Sequence, residues 1–244
     1  MSTFQRARSE EQREVRRRAI LETAAAMVAE MPVAAVSLNE LSRRVGLAKS
    51  NVLRYFESRE AILLDLLSLR ADRFAERVAG LLPEVAGLDP GRVGEVAGLD
   101  RDRVAEVAGP VRDRVAGVAA VLAREFAADP MLCELLSAQA GVLEHNVSAE
   151  TVAQYKRSGY QSLYGFSVVL RQVLPELGKE TDEALRTLFV LAGGLWTYSH
   201  PPQAVREAYA ADPSLVFLPE GFAGSLEWAV RVLLTGVLAG GETA

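Results

Sequence analysis

The sequence has few of the residues that bind metals or form disulfides. Its 244 residues include one cysteine, Cys133, and two histidines, His145 and His200. One cysteine cannot form an internal disulfide, and the H-x-x-x-H and C-x-x-C spacings of metal sites are missing. A glycine-rich phosphate loop after a strand is missing as well. We therefore expect no metal, no cofactor and no enzymatic activity, since an enzyme would need catalytic groups that this sequence does not mark.

Long apolar runs are also missing. Although 50% of the residues are apolar, no segment has the roughly 18 uninterrupted apolar residues of a membrane span, because Arg231 interrupts the C-terminal run. The first residues show no signal-peptide pattern. These observations predict a cytoplasmic protein with no membrane partner. The length and apolar content allow one large domain or two modest ones.

The charge of the chain is unevenly distributed. The net charge of −5 is not that of a chain that binds nucleic acid along its whole length. Residues 1–60, however, hold 11 Lys and Arg against 8 Asp and Glu, a net charge of +3 that leaves −8 for the remainder. A basic segment on an acidic body favours a protein that places one end on phosphate. We expect a flexible basic arm over residues 1–15, in which Arg6 and Arg8 either reach DNA or are merely solvated.

Two short helices joined by a glycine turn are predicted early in the chain. Ser37 and Glu40 match the S-x-x-E capping box, so the first of them should begin near Leu38. Gly46 should end it in the left-handed conformation that glycine adopts readily. The second helix, about 49–56, has a polar, cationic and aromatic outward side. This pattern is typical of a DNA-recognition helix, and the alternative is an ordinary helical hairpin with a solvated surface.

This stretch resembles the N-terminal helix-turn-helix of the TetR family of bacterial transcription regulators. The resemblance covers about Arg16 to Leu67. The family's I-L-x-x-A-A pattern begins here at Ile20, its G-V-S-x-x-T-L-Y-x-H-F signature corresponds to residues 46–56, and its P-S-K-E-A-L-L motif corresponds to residues 57–63. The resemblance implies an all-α regulator whose second short helix recognises DNA.

Several residues depart from the family pattern. Ala48 replaces a serine that caps the recognition helix, which removes about 0.5–2 kcal/mol of local stabilisation. Leu53 replaces a tyrosine that contacts a phosphate. Because leucine has no hydroxyl group, we expect Ser37, Tyr55 and Arg59 to provide more of the anchoring to the DNA backbone. The candidate DNA-binding residues are Ser37, Asn39, Ala48, Lys49, Ser50, Asn51, Arg54, Tyr55 and Arg59.

An eleven-residue repeat follows the helix-turn-helix. Residues 84–116 read EVAGLDPGRVG, EVAGLDRDRVA and EVAGPVRDRVA. The repeat length is close to three helical turns, but its glycines and prolines oppose one stable helix. We predict an insertion with short helical pieces, which enlarges the connection over residues 68–110. A partner-binding role is the alternative.

The remainder of the chain, residues 111–244, shows helical periodicity and almost no strand alternation. The resemblance implies that this region binds a small effector and dimerises through two long helices, Asp182–Tyr198 and Phe222–Ala239. Gly193 and Gly194 would let a partner helix approach closely, or would mark a kink. The predicted helices are 111–128, 131–145, 149–174, 180–199, 202–210 and 222–239.

Aromatic residues at helical spacing do not by themselves define an effector pocket, because they occur in cores as well as in pockets. The chemistry of the effector is not encoded in any recognisable motif. The candidate effector-binding residues are Phe126, Gln139, Leu143, Tyr160, Tyr164 and Trp196.

The sequence therefore predicts an all-α protein with an N-terminal three-helix helix-turn-helix domain, residues 16–67, and a C-terminal helical bundle. The resemblance implies a ligand-responsive repressor that binds a palindromic, double-stranded operator as a homodimer and is released by a small molecule. The alternative is a helical small-molecule-binding protein with degenerate DNA recognition. Salt-sensitive DNA binding without sequence preference would distinguish that alternative.

Overall fold

The structure is a computed structural model that describes residues 3–85 and 110–241, with side chains over residues 10–85 and 110–240. Every regular element within the described residues is helical, as predicted. Residues 86–109, which hold most of the eleven-residue repeat, lie outside the described residues, so the insertion stays a prediction. The α-helices are α1 Thr3–Glu30, α2 Leu38–Val45, α3 Lys49–Val52, α4 Arg59–Val85, α5 Val111–Ala127, α6 Pro130–Ala138, α7 Ala149–Val173, α8 Thr181–Ser199, α9 Gln203–Ala211 and α10 Gly221–Gly241.

Helix α1 includes most of the segment over residues 1–15 that the sequence analysis predicts as a flexible arm. It is one helix of 28 residues that begins at Thr3. Its sequence contains no glycine or proline, and pairs such as Glu14 and Arg18 have the i, i+4 spacing that stabilises a solvated helix. Residues 10–16 are all exposed. The lack of an apolar stripe in this segment therefore reflects exposure of a helix to solvent.

Helices α1 to α3 and the start of α4 form a small head, residues 10–67, with its own buried core. Ser37 caps α2 as predicted, because its Oγ accepts a hydrogen bond from the Glu40 N–H at 3.2 Å. Gly46 ends α2 with a φ of 71°. The N–H groups of Gly46 and Leu47 then bond to Arg43 and Ser42 carbonyls at 3.3 and 3.0 Å, which is the Schellman arrangement.

Only one of the two hydrogen bonds of the predicted capping box is present. The Glu40 carboxylate does not turn back toward Ser37 but accepts hydrogen bonds from Arg43 at 2.6 and 2.9 Å and from Arg44 at 2.9 Å. Two guanidinium groups one turn ahead bind this carboxylate more strongly than a single backbone N–H can. Only the serine half of the box is therefore formed.

Helix α3 is shorter than the predicted 49–56. It spans Lys49–Val52 and continues as turns, because the Arg54 and Tyr55 N–H groups bond to the carbonyls of residues three positions earlier at 3.2 and 2.9 Å. This i to i+3 pattern tightens the end of a helix. Ala48 precedes α3 and provides no side-chain cap, as predicted.

Helices α4 to α10 form the body. Helix α4 leaves the head and packs against α5, α6 and α7, while α8 and α10 pack against each other on the far side. An aromatic cluster holds these layers together: the Phe74 and Phe126 ring centroids lie 4.2 Å apart, and Phe189 lies 5.5 Å from Phe126. The predicted body helices agree with α5 to α10 to within a few residues, except that α6 ends at Ala138 in a π turn, Gln139–Leu143.

Helices α8 and α10, which pack against each other, both expose large apolar side chains. Val190 and Tyr198 on α8 are 74% and 58% exposed, and Trp228 and Val232 on α10 are 62% and 50% exposed. The other side of α10 packs into the core through Leu226, Val230 and Leu234. We call the exposed set Val190, Tyr198, Trp228 and Val232 the apolar α8/α10 face.

Helix α10 also has the length and composition of a membrane span. Residues Gly221–Gly240 have a mean hydropathy of 1.4 in their most apolar window, of which 22% is buried within the chain. It is the one helix among the described residues that meets these criteria.

The glycine pair of α8 has two different environments. A Cβ atom at Gly193 would lie 3.1 Å from the carbonyl carbon of Leu136, so this glycine allows α6 and α8 of the same chain to meet backbone to backbone. A Cβ atom at Gly194 would meet open space. Helix α8 continues through both glycines. The close approach at Gly193 is to a helix of the same chain, and the predicted approach of a partner helix stays a prediction.

Candidate DNA-binding surface and body cavity

The predicted DNA-binding residues lie on the head, and most of them are open to solvent. Seven of the nine are exposed: Ser37, Asn39, Ala48, Lys49, Ser50, Asn51 and Arg54. Three of these, Lys49, Ser50 and Asn51, occupy the single turn of α3. Ammonium, hydroxyl and amide groups on one short helix can donate to base edges and to phosphates.

Some cations near this surface are paired with carboxylates, and others are not. Arg43 and Arg44 both bond to Glu40, and Arg44 also pairs with Glu30 at 2.6 Å. The hydrogen bonds from these two arginines lower the pKa of Glu40 to about 2. Lys49 and Arg54, by contrast, are exposed and form no ion pair within the described part of the chain. Their charge is therefore available to an incoming phosphate.

Tyr55 and Arg59 are half-buried and take part in the head's own structure. Arg59 donates to the Val36 carbonyl at 2.9 Å and to the Glu60 carboxylate at 2.7 and 3.1 Å. Glu60 is buried, so the Arg59 guanidinium neutralises a charge that would otherwise be costly. Contact of Tyr55 and Arg59 with phosphate stays a prediction.

Arg17, which sequence reasoning missed, fixes the end of the recognition segment. Its Nη1 donates to the Tyr55 carbonyl at 3.3 Å, Nη2 forms an ion pair with Asp65, and its guanidinium carbon lies 4.3 Å from the centroid of the Phe56 ring. Partial burial is the main cause that lowers the pKa of Arg17. The arginine thus joins α1, the turn after α3, and α4, and no local sequence signal marks such distant partners.

Two carboxylates connect the head to the body. Glu134 on α6 accepts a hydrogen bond from the Val33 N–H in the head at 3.2 Å, and its other oxygen accepts one from the indole N–H of Trp196 on α8 at 3.1 Å. Glu57, just before α4, accepts a bond from the Ser148 N–H at 2.7 Å. The bonds from Ser148 and Thr151 lower the pKa of Glu57. These bonds join the head to α6 and to the start of α7.

The body contains a cavity of about 490 Å³ between α4, α6, α7 and α8. Its walls are mainly apolar, with Leu67, Leu136, Leu163, Phe166 and Phe189 among them. The volume lies within the range of pockets that bind small molecules. Its polar side chains include Gln139, Lys156, Tyr160 and Ser162.

Two of the six predicted effector-binding residues, Gln139 and Tyr160, line this cavity, and four do not. Phe126 and Leu143 are fully buried in the core. Tyr164 is 66% exposed on α7. Trp196 is bound to Glu134 and stacks on His200, with ring centroids 3.7 Å apart. Aromatic spacing thus identified core and surface positions as well as the cavity wall, whereas Lys156 and the small wall residues Ala71, Gly159 and Gly193 were missed.

A second, more polar cleft of about 850 Å³ lies between the head and the body. Helices α1, α4 and α7 line it, with Arg17, Asp65, Asp72 and Arg73 contributing charges of both signs. Tyr155 lies between this cleft and the body cavity and lines both.

The remaining chemically reactive group is Cys133. It is buried, and its thiol donates to the Phe126 carbonyl at 3.3 Å. Burial, together with the negative charge of Asp129, raises the pKa of this thiol to about 12, so it stays protonated. Among the described residues, no group of three His, Cys, Asp or Glu side chains could hold a metal ion.

Comparisons with known proteins identify both parts of the chain. The family model described as "Bacterial regulatory proteins, tetR family" matches residues 20–66, and the model described as "Tetracyclin repressor-like, C-terminal domain" matches residues 96–241. The sequence matches none of the curated proteins with which it was compared.

Solved structures of regulators are similar over most of the chain. The fatty acid degradation regulator FadR from Bacillus halodurans is 16% identical, with a TM-score of 0.44 over 92% of this chain and 95% of that chain. A protein from Pseudomonas aeruginosa PAO1, described as a transcriptional regulator, is 16% identical, with a TM-score of 0.45 over 93% of this chain and 92% of that one. A protein from Mesorhizobium loti, described as a TetR-family regulator, is 14% identical, with a TM-score of 0.44 over 93% and 96%.

The family models carry the assignment, because they match the head and the greater part of the body in the order that the fold requires. The chain therefore belongs to the TetR family of bacterial regulatory proteins and is a DNA-binding transcriptional regulator.

Proposed function

We propose that this protein is a homodimeric repressor of a palindromic operator, and that a small molecule in the body cavity releases it. The observation that carries the proposal is one chain that combines an exposed recognition helix with an apolar cavity, the two being connected through Glu134. The proposal keeps the domain division suggested by the sequence, with the helix-turn-helix at 16–67, the connection at 68–110 and the effector-binding region at 111–244.

The apolar α8/α10 face supports the homodimer. Burial of side chains such as Val190 and Trp228 in an interface stabilises it by about 25 cal/mol for each Å² of apolar surface removed from water. In a dimer with two-fold symmetry the same face would serve both copies. Two heads would then lie on one side of the dimer and could enter successive major grooves, with half-sites about 34–36 Å apart.

The operator contacts follow from the chemistry of the exposed head residues. In this proposal Lys49 and Asn51 hydrogen-bond base edges, and Ser37 and Arg54 bind phosphates. Ser50, Asn39 and Ala48 contribute shape and further hydrogen bonds at the same surface.

Effector release requires a ligand that binds two conformations unequally. Leu136 and Ser137 line the cavity and follow Glu134 on the same helical segment, while Gly193 lines it and precedes Trp196. A ligand that separates α6 from α8 would lengthen the bond between Glu134 and Trp196. The other oxygen of Glu134 would then pull on Val33 and rotate the head away from its operator-binding position.

Selection of bound duplexes from a random DNA pool tests the proposal. We expect a palindrome to be enriched, and the K49A/N51A variant to lose affinity for it about tenfold to a thousandfold, since one good base contact contributes about 1–3 kcal/mol. The K179A variant, which removes an exposed cation from the body, is the matched control and should keep the affinity. Equal affinity of K49A/N51A and wild type would refute the assignment of α3.

A second candidate is a small-molecule-binding protein whose head binds DNA without sequence preference. The uncapped, single-turn α3 and the exposed Leu53 favour it, because both weaken the geometry of a recognition helix. In that case no palindrome would be enriched, and the affinity for all duplexes would fall steeply with salt.

A further inference from the structure

The polar end of the body cavity is formed by three linked side chains. Lys156 Nζ lies 2.5 Å from Glu144 Oε1, and Gln139 Nε2 donates to the same oxygen at 2.8 Å. Lys156 and Gln139 line the cavity, and Glu144 lies behind them. The only cation on this wall of the cavity, as far as the structure describes it, is therefore already neutralised.

The other charged groups near the cavity are also paired or negative. Arg186 at the α8 edge forms an ion pair with Glu183. Ser162 on the α7 wall donates its hydroxyl proton to the Asp72 carboxylate, which adds a negative charge close to that wall. The two cations that line the cavity, Lys156 and Arg186, are thus each paired with a carboxylate, which leaves no unpaired positive charge on the described lining for an anion.

The pKa shifts of two side chains agree with this picture at neutral pH. Burial alone would raise the pKa of Glu144, but the hydrogen bonds from Lys156 and Gln139 and the Lys156 charge lower it, so the carboxylate stays ionised. Burial and the negative charge of Glu144 raise the pKa of Tyr155, so its phenol stays neutral.

We infer that the body cavity selects a neutral, mainly apolar molecule with one hydrogen-bonding end, and that the Glu144–Lys156 pair sets this selectivity. The inference rests on the proposed function only for the role of the cavity as effector site. An anionic ligand would have to give up its hydration beside Glu144 and Asp72, without a free cation to replace it. A neutral ligand leaves the ion pair intact and gains from the apolar wall.

Two fluorescent probes with the same ring skeleton test the charge selectivity. N-phenyl-1-naphthylamine is neutral, and 8-anilinonaphthalene-1-sulfonate carries one negative charge; both gain fluorescence in apolar surroundings. For the wild-type dimer at fixed salt we expect the neutral probe to bind at least about tenfold more tightly, a difference of about 1.4 kcal/mol.

The Glu144→Gln variant should shift that preference, because it leaves the charge of Lys156 without its partner. We expect the affinity for the sulfonate to rise about tenfold, a moderate effect for a charge that is 41% exposed. The affinity for the neutral probe should stay within about twofold of wild type, since a neutral molecule has little Coulomb interaction with Lys156. The double variant E144Q/K156Q should return to the wild-type preference.

Two controls locate the effect. Glu150→Gln makes the same change of charge at an exposed position of α7 and should leave the probe ratio unchanged. Gly159→Trp places an indole in the cavity, because a Cβ atom at this wall residue meets nothing within 4 Å. It should abolish the tight binding of the neutral probe, and any signal left in this variant comes from other surfaces and is subtracted.

Several outcomes would overturn the inference. These are tighter binding of the sulfonate by wild type, an unchanged ratio in E144Q, or an equal shift in E150Q. Circular dichroism checks that each variant is folded, and a double variant E144Q/K156Q whose probe ratio differs from wild type would also overturn the inference. Neutral probe binding without release of the operator would contradict the proposed function and leave the charge selectivity standing.

Discussion

Replacing Glu134 by alanine should weaken the attachment of the head to the body. The carboxylate accepts one bond from the Val33 N–H at 3.2 Å and one from the Trp196 indole at 3.1 Å. Hydrogen bonds to a charged group contribute about 1.5–3 kcal/mol each when buried. Glu134 is only half-buried, so we expect the pair to contribute at the lower end, about 2–3 kcal/mol of unfolding free energy in total.

Thermal and urea unfolding at one fixed protein concentration measure this loss. For a chain of this size, 1 kcal/mol shifts Tm by about 2–4 °C, so E134A should unfold about 4–12 °C below wild type. The W196F variant removes one donor, and a double-mutant cycle with E134A should give a coupling of about 1 kcal/mol, because both substitutions remove the same bond.

Additive effects of E134A and W196F would mean that the bond between α6 and α8 contributes nothing. Glu150→Ala, an exposed carboxylate on α7, is the control, and an equally large loss in E150A would refute a specific role for Glu134. In the operator assay, E134A should keep recognising the palindrome but respond less to the neutral probe.

Three further predictions concern the cap, the apolar α8/α10 face and pH. Ala48→Ser restores a side-chain acceptor at the uncapped start of α3 and should raise the unfolding free energy by about 0.5–2 kcal/mol in urea titrations; no gain would mean that α3 starts with different geometry. Trp228→Glu places a charge on the apolar α8/α10 face and should convert the proposed dimer to a monomer in sedimentation experiments, with helical circular dichroism retained. Hydrogen bonds from Arg43 and Arg44 lower the pKa of Glu40 from 4.5 to about 2. The ionised Glu40 carboxylate therefore stabilises the folded protein above pH 4.5, and this stabilisation is lost as the pH falls through 2. Glu40→Gln should therefore lose less stability than wild type between those two pH values.

The parts of the fold that the sequence predicts correctly depend on local signals. Ser37 and Gly46 specify the ends of α2 through contacts within a few residues, and Pro130 begins α6 at the first helical position. The helical conformation of the segment before Arg16 is not predicted from the sequence, because the segment lacks an apolar stripe; it also lacks any residue that would break a helix.

The connections that position the site depend on residues far apart in the chain. Arg17 meets Tyr55 and Asp65 across 38 and 48 positions, and Glu134 meets Val33 across 101. No pattern within a window of one or two helices encodes such pairs. The same limit explains why four of the six predicted effector-binding residues do not line the cavity. Phe126 and Gln139 are equally plausible pocket residues from the sequence, and only the packing of α4, α7 and α8 places Phe126 in the core and Gln139 at the cavity wall.

The uninterrupted α1 makes the head easy to observe. Residues 10 to 20 of this helix extend over about 15 Å at 1.5 Å per residue, and residues 10–16 are exposed. A spin label at Glu10 would therefore sit at the end of a stiff lever, where a small rotation of the head becomes a larger displacement. In the proposed dimer, distances between two such labels would report the separation of the two heads, in solution and without DNA, as the cavity is filled.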